Sequence, residues 1–328
     1  MNEAQILCNA LLKSRGFIHK RDISTALSSL KKNLPLDDDL NHLGQVVPIG
    51  DDCAAIDDGH GEYQLFAIEG LVEEFIESMP WFAGYCSVMV NVSDIYAMGG
   101  RPTAVVNAIW SKGSQTASKV FEGMVQASRV YSVPIVGGHS NYQSQKPQLA
   151  VSILGHAKKL LTSFDAKPGE ELMVAIDLRG HYQDPYPYWN ASTESPSIRL
   201  REDLELLPYI AEAGLSQAAK DISMAGVIGT ALMLLECSQV GAVIDIESIP
   251  RPQDIELVKW LTSFPSYGFI LSVSSENVDK VKALFTSREI ACNVIGRVTQ
   301  NKKIVLNYNA DAAELWDLEK EAFICAVT

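Results

Sequence analysis

Carboxylates recur beside small residues and glycines along the first two-thirds of the chain. They lie in three motifs, Gly50-Asp51-Asp52-Cys53-Ala54-Ala55, Asn91-Val92-Ser93-Asp94-Ile95-Tyr96-Ala97-Met98-Gly99-Gly100-Arg101-Pro102 and Asp221-Ile222-Ser223-Met224-Ala225-Gly226. Magnesium prefers oxygen ligands and shares its shell between a few carboxylates, waters and substrate phosphates. Taken alone, each acidic residue is explained by a place in a solvated turn, at a helix end or at a helix cap. Taken together, the acids lie among apolar or small residues, where burying an unpaired charge is costly. Together they predict a metal site with the candidate ligands Asp51, Asp52, Glu69, Asp94 and Asp221.

A pair of glycines follows an apolar run in Ile135-Val136-Gly137-Gly138-His139-Ser140-Asn141. We expect a strand-to-turn junction in which the amides of Gly137 and Gly138 approach a phosphate closely. His139 and Ser140 would add neutral hydrogen bonds to the anion. The alternative is that the glycines serve the geometry of the turn and that His139 is a hydrogen-bonded structural histidine.

The overall charge excludes one class of partner. The net charge is −13 and the isoelectric point is near 4.9, and no cluster of lysines or arginines offsets that field, so we expect no nucleic-acid partner. Six cysteines lack regular spacing, which favours scattered reduced thiols over a zinc site or disulfide framework. The N-terminus does not resemble a signal peptide and no apolar run reaches membrane-spanning length, so no membrane association and a cytoplasmic location are predicted.

Short apolar runs alternate with amphipathic stretches, a pattern typical of α/β or α+β proteins. The length of 328 residues fits two domains, and the turn Lys167-Pro168-Gly169 places their boundary near it, giving domains 1–160 and 161–328. Helices are predicted over 81–98, 114–131 and 252–263, the second with a possible serine cap and the third with proline in its first turn. The predicted strands cover 63–68, 103–110, 149–155, 171–178, 241–246, 268–273, 292–298 and 303–307.

The segment 181–197 contains four aromatic residues and three prolines without periodicity, which predicts a long loop. Its aromatic side chains, Tyr182, Tyr186, Tyr188 and Trp189, would stack on a ring of a small-molecule substrate. Arg199 or Arg201 would then bind a carboxylate or phosphate of that molecule. The alternative is that the loop packs along the seam between the domains.

The ordered set of motifs resembles the AIR synthase (PurM)-like superfamily. That superfamily contains aminoimidazole ribonucleotide synthetase, thiamine-monophosphate kinase, hydrogenase-maturation enzymes and selenophosphate synthetase. The specific parts are Asp-Asp-x-Ala-Ala at Asp51 and Asn-x-x-Ser-Asp-x-x-Ala-Met-Gly-Gly-x-Pro at Asn91. Selenophosphate synthetase is most similar at 93–102, 137–140 and 221–229, and thiamine-monophosphate kinase at the first acidic motif and 166–169.

This resemblance implies a two-domain α/β fold and a likeness in function. The sheet of the N-terminal domain would pair with its twin in a homodimer, and the C-terminal domain would pack behind it. ATP would lie in a cleft between the domains near the dimer interface. Asp51, Asp94 and Asp221 correspond to metal-ligand positions, and Asn91 and residues 137–140 to nucleotide or phosphate contacts. Glu69 departs from the family pattern, which has aspartate after paired threonines.

The stretch Gly16-Phe17-Ile18-His19-Lys20 aligns with the glycine-rich segment of selenophosphate synthetases, where the nucleophilic cysteine is missing but Lys20 is retained. The leading prediction is magnesium-dependent phosphoryl transfer from ATP to a small acceptor, with Lys20 stabilising charge on the transferred group and its segment closing as a lid. Two alternatives stay open. The protein is a thiamine-monophosphate kinase or selenophosphate synthetase proper, or it is an ATP-binding partner protein without turnover.

Overall fold

The computed structural model describes residues 2–33 and 47–325. The described helices, in chain order, are α1 Glu3–Leu12, α2 Arg15–Lys20, α3 Asp22–Asn33, α4 Glu73–Ser78, α5 Pro80–Ala97, α6 Ser114–Tyr131, α7 Ser197–Leu204, α8 Leu206–Glu212, α9 Gly226–Cys237, α10 Leu257–Leu261 and α11 Val278–Thr286. The described strands are β1 Ala54–Asp57, β2 Tyr63–Leu71, β3 Arg101–Lys112, β4 Ile135–Asn141, β5 Gln143–Ala157, β6 Glu171–Ile176, β7 His181–Tyr182, β8 Tyr188–Asn190, β9 Ala218–Asp221, β10 Gly241–Asp245, β11 Phe264–Pro265, β12 Gly268–Val273, β13 Ala291–Thr299, β14 Lys303–Tyr308 and β15 Asp311–Asp317.

Two large mixed sheets organise the described chain. The first has five strands in the order β1-β2-β5-β3-β4, and the second has seven in the order β15-β14-β10-β13-β6-β12-β9. A small third sheet, β11-β8-β7, lies beside them. The predicted two-domain α/β class is confirmed, and each of the predicted strands is present, although several bounds shift by a few residues.

Helix α5 contacts both large sheets and is the element that places the first of the aspartates. It packs on β2 and β5 of the first sheet and on β9 of the second. Apart from Val90, its residues from Phe82 to Ala97 are buried, as expected for a helix that is apolar on all faces and lies between layers. The predicted glycine stop is also confirmed, because Gly99 has φ of +74°, a conformation that side-chain-bearing residues rarely adopt.

The N-terminal helix α1 packs on β15 of the second sheet. Its buried residues Ala4, Leu7 and Leu11 belong to the hydrophobic core of that sheet, together with residues of α9 and β14. The N-terminal helix therefore packs on the second sheet, although it precedes the strands of the first sheet in the chain. The domain boundary near residue 160 stays a prediction.

Four local predictions are wrong. The helix expected over 252–263 covers Leu257–Leu261, because the Glu256 carboxylate caps it by accepting from the amides of Val258 and Lys259. Helix α6 begins at Ser114, but its cap residue is Gly113 and no side chain caps it. The segment 181–197 is not one loop, since β7 and β8 pair within it. Residues 137–140 form no turn; they continue β4, which pairs in parallel with β3.

None of the helices in the described ranges is both long and apolar enough to cross a membrane.

Candidate functional site

A cavity of about 380 Å³ lies where α5, β2 and the end of β9 meet the N-terminal helices. Its size suits a small-molecule ligand. One wall is acidic and carries all five of the predicted metal ligands. The remaining wall is largely apolar and includes Phe75, Tyr188 and Phe264.

Three carboxylates converge on one point of the acidic wall. One oxygen each of Asp52, Asp94 and Asp221 lies within 4.8 Å of the other two. They come from three separate places in the chain, namely the segment before β1, the last turns of α5 and the end of β9. The structure therefore brings together three of the predicted ligands, at a spacing that a single cation can bridge.

One oxygen of the buried Asp94 carboxylate has no hydrogen-bond partner in the described part of the chain. The Asp94 side chain is 6% exposed, and among the described residues no polar atom forms a hydrogen bond with its Oδ2 atom. A buried carboxylate without a partner is unfavourable, so burial raises the pKa of Asp94 well above its usual range, and the charges of Asp221 and Glu69 raise it further. This unpaired oxygen indicates a site built for a positively charged ligand.

Asp51 lies next to the three-carboxylate group but is not one of its members. Its Oδ2 atom accepts from the backbone amide of Ser163 at 2.8 Å, and its Oδ1 atom accepts from the Ser163 hydroxyl at 2.6 Å. Burial raises the pKa of Asp51 to about 6, against the opposing effect of the Lys220 charge. Asp51 is therefore already satisfied by the protein and is not one of the converging ligands.

Lys220 places a positive charge on the acidic wall. Its side chain forms an ion pair with Asp52 Oδ1, and its Nζ atom lies 3.9 Å from Asp51 Oδ1. Burial favours the neutral amine, but the charges of Asp52 and Asp51 outweigh it and raise the pKa of Lys220 above its usual value. The sequence did not single out this residue; its signal was one lysine in the otherwise small, apolar stretch Ala218-Ala219-Lys220.

Glu69 and Lys20 line the solvent-accessible mouth of the cavity, close enough for their charges to interact. Glu69 is on β2 and keeps contact with solvent, yet the surrounding protein raises its pKa by desolvation, and the charge of Lys20 opposes that shift. Glu69 lies outside the three-carboxylate group. Lys20, at the end of α2, lines the same cavity, as expected for a residue that meets a charged substrate.

Other predicted site residues are not brought to this cavity. Asn91 is fully buried in α5, where its Nδ2 atom donates to the Ser87 carbonyl. Residues 137–140 lie on the exposed edge strand β4, separated from β2 by β3 and β5. The His139 ring packs beside that of Trp110 at 5.6 Å. A nucleotide or phosphate contact from these residues stays a prediction.

Much of the predicted aromatic and arginine set has other roles. The buried Trp189 indole donates to the Asp177 carbonyl, and the Tyr182 hydroxyl pairs with that of Ser263. Arg199 contacts the buried carboxylate of Asp177 at 3.1 Å. Tyr188 lines the cavity. The loop therefore contributes one aromatic side chain to this cavity and uses several others for packing.

Arg201 is also engaged within the protein. Its Nη1 atom donates to the carbonyl of Val130 at 2.8 Å.

The position of α2 depends on a close backbone approach. A Cβ atom on Gly16 would lie 2.0 Å from the carbonyl oxygen of Met224, in the segment between Asp221 and α9. We therefore expect Gly16→Ala to lower the free energy of unfolding by about 1–3 kcal/mol, since one of the two backbones must move. Urea unfolding measures this. Ile18→Ala, a change at an exposed position of the same helix, is the control expected to stay within about 0.5 kcal/mol.

The donor set fits magnesium. It consists of carboxylate oxygens alone, from Asp52, Asp94 and Asp221, and one of these oxygens is buried and unpaired within the described structure. Hard cations select such oxygen ligands, whereas zinc sites are usually built from histidine and cysteine.

Comparisons with known proteins agree with this architecture. The family model for the N-terminal domain of AIR synthase related proteins matches residues 50–157, and the model for their C-terminal domain matches residues 179–309. An uncharacterized protein of Synechocystis sp. is 45% identical over 311 residues, covering 94% of each chain. The thiamine-monophosphate kinase of Buchnera aphidicola is 26% identical over 281 residues, covering 79% of this chain and 86% of its own.

Solved structures share the fold. PurL of Thermotoga maritima in complex with ADP superposes with a TM-score of 0.75 at 18% identity, covering 98% of this chain. This chain spans about half of that one, 54% of its length. AaThiL in complex with AMPPCP and TMP superposes with a TM-score of 0.63 at 18% identity, covering 81% of this chain and 91% of its own.

Proposed function

Because the chain belongs to the AIR synthase related protein family, we propose that it is a magnesium-dependent enzyme that transfers a phosphoryl group from ATP to a small molecule. The observation that carries the proposal is the buried, unpaired Asp94 oxygen beside Asp52 and Asp221. Relatives named for ATP-dependent reactions, a thiamine-monophosphate kinase and a selenide, water dikinase, support it.

Each group of cavity residues would have a separate role in the reaction. Magnesium held by Asp52, Asp94 and Asp221 would neutralise charge on the phosphate oxygens, which is most of what phosphoryl transfer requires of a protein. Lys20, at the mouth of the cavity, would stabilise charge on the transferred group. The apolar wall, with Phe75, Tyr188 and Phe264, would exclude water and hold the less polar part of the acceptor.

The test is ATP consumption by the purified protein with magnesium and a panel of acceptors that includes thiamine monophosphate and selenide. Turnover that depends on one acceptor would support the proposal and identify the substrate. Tight ATP binding in calorimetry without turnover under any acceptor would instead support a partner protein. Absence of both ATP binding and turnover would overturn the proposal.

Lys20→Met tests the role given to the lysine at the cavity mouth. Removing one preorganised charge from the transferred group is expected to lower turnover by about 100- to 1,000-fold. Steady-state ATP consumption measures this, with thermal melting as a check on folding. Lys13→Met, at an exposed lysine just after α1, is the matched control and should retain activity. Equal activity of the two variants would remove Lys20 from the mechanism.

We also propose that a second copy of the chain covers the outer face of the first sheet. That face exposes Phe66, Ile68, Val106 and Leu154, which are 41–65% exposed. Phe66 lies directly opposite Leu154 in the ladder between β2 and β5. A contiguous apolar patch of this kind is unusual on a monomer and typical of an interface.

Leu154→Glu should convert that dimer to a monomer, since burying an unpaired carboxylate against a second sheet costs several kcal/mol. Light scattering coupled to size-exclusion chromatography gives the mass directly. Tyr209→Glu, at a 53% exposed position on α8, controls for adding a charge to the surface. A wild-type protein that is already monomeric at micromolar concentration would contradict the expectation.

A further inference from the structure

We infer that the ammonium group of Lys220 is a built-in cation of the carboxylate site. It lies between Asp51 and Asp52 and leaves room for one divalent ion, which Asp94 and Asp221 would hold together with Asp52. The inference concerns the carboxylate site of the proposed function, and its relevance to catalysis rests on that function. It adds a residue that sets how many metal ions the site takes.

The Lys220 side chain is buried and its ammonium group is fixed by contacts with neighbouring polar groups. It lies on β9, is 5% exposed, and lines the cavity next to Asp221. Its ammonium pairs with Asp52 and lies 3.5 Å from the Ser163 hydroxyl. Burying a lysine is costly unless it is paired, so these contacts hold the charge at this position rather than letting it reach solvent.

Both carboxylates that contact Lys220, those of Asp51 and Asp52, already accept hydrogen bonds from other protein groups. Asp51 accepts twice from Ser163, and Asp52 pairs with Lys220 through Oδ1 and accepts from the Asp221 amide through Oδ2 at 3.3 Å. Asp94, in contrast, keeps a buried oxygen unpaired within the described structure. The free coordination capacity therefore lies on the Asp94 side of the group, away from Asp51.

The charges of the four aspartates and of Lys220 support the same arrangement. Asp51 and Asp52 form a close pair of like charges, which normally requires either a cation or a proton between them. Lys220 supplies that cation from the chain itself. Asp94 and Asp221 carry a second pair of carboxylates that no lysine contacts in the described ion pairs. Lys220 offsets one of the two charges of Asp51 and Asp52, and one divalent ion would offset both charges of the second pair.

The first test is the number of manganese ions that the wild-type protein binds without nucleotide, measured by electron paramagnetic resonance of free Mn²⁺. We expect about one tightly bound ion per chain, with Mn²⁺ as the probe for a magnesium site. Two ions per chain would overturn the inference. Because no ATP is present, this result does not depend on whether phosphoryl transfer is found.

The second test removes the built-in cation. Lys220→Met keeps the bulk of the side chain and leaves Asp51 and Asp52 without it, so bound manganese is expected to rise from about one to about two ions per chain. Lys13→Met, at an exposed lysine just after α1, is the matched control and should stay at one. An unchanged count in folded Lys220→Met would overturn the inference.

A third variant decides the matter if Lys220→Met does not fold. Asp51→Asn keeps the shape of the side chain and can still accept from Ser163 through its remaining oxygen. Since the inference excludes Asp51 from the metal ligands, this variant should keep one manganese ion. Loss of that ion would make Asp51 a ligand and overturn the inference.

Discussion

Asp94→Asn is expected to lower turnover by at least about 100-fold and, in the same protein, to raise the stability of the metal-free form. Both effects come from one atom, the buried Oδ2 that nothing in the described structure satisfies. As a ligand, the carboxylate attracts the cation; without the cation, its charge lies beside Asp221 and Glu69 and is unfavourable. The neutral amide removes the repulsion and the attraction together.

The measurement pairs two assays on the same preparation. ATP consumption with magnesium should fall, while the melting temperature in EDTA should rise by about 1.5 °C for each kcal/mol gained, because the entropy of unfolding scales with the 328 residues of the chain. Asp279→Asn, at an exposed position in the first turn of α11, controls for a general effect of the exchange. A variant that loses both activity and metal-free stability would show that Asp94 supports the fold instead of a ligand.

The sequence predicted the carboxylates of the site because each lies beside small or apolar residues, where an unpaired charge is costly to bury. Asp94 lies in the last turns of a long apolar helix pattern with a glycine stop, and Asp221 precedes a helix that begins at Gly226. Such local signals are strong where burial is nearly complete, as it is in α5. Apolar runs typical of buried strands indicated eight strands of the two large sheets, but β1, β4, β9 and β15 were not predicted.

The sequence did not predict which of the acids meet. Asp51 carries the family pattern, yet Ser163, more than a hundred residues later, accounts for both of its oxygens. Lys220 is one residue from Asp221 and was not predicted, because a single lysine has no periodic signal. Contacts between residues far apart in the chain depend on how the two sheets pack, which no local pattern records.

Residues 137–140 show the opposite error. Paired glycines usually indicate a turn, and here they continue an edge strand in which a Cβ on Gly138 would lie 2.4 Å from Asn107 Oδ1. The glycine is required by a close approach to the neighbouring strand, not by a change of direction. Local composition could not separate these two reasons for the same residue type.

The stability of the metal-free protein is expected to fall as the pH rises from about 5 to about 8, and magnesium should reverse the fall. Burial is the main cause that raises the pKa of Asp51 to about 6. Burial and the charge of Asp52 raise the pKa of Asp221 to about 8, and the charge of Lys220 opposes both shifts. Unfolded aspartates titrate near 4, so above that pH the folded state binds more protons than the unfolded state. Stability contributed by these groups is therefore complete below about pH 4 and lost as the pH passes their folded pKa values. The loss for each group is about 1.4 kcal/mol for every pH unit that separates its folded pKa from its unfolded one.

Magnesium binds the ionised carboxylates and must displace their protons, so its stabilisation should increase with pH over the same range. Melting temperatures in EDTA and in excess magnesium, compared at about pH 5 and about pH 8, measure both halves of the prediction. Asp221→Asn should flatten the EDTA curve, because it removes the group with the higher of the two pKa values given for Asp51 and Asp221. Equal stabilisation by magnesium at both pH values would mean that the ion binds elsewhere than at these buried aspartates.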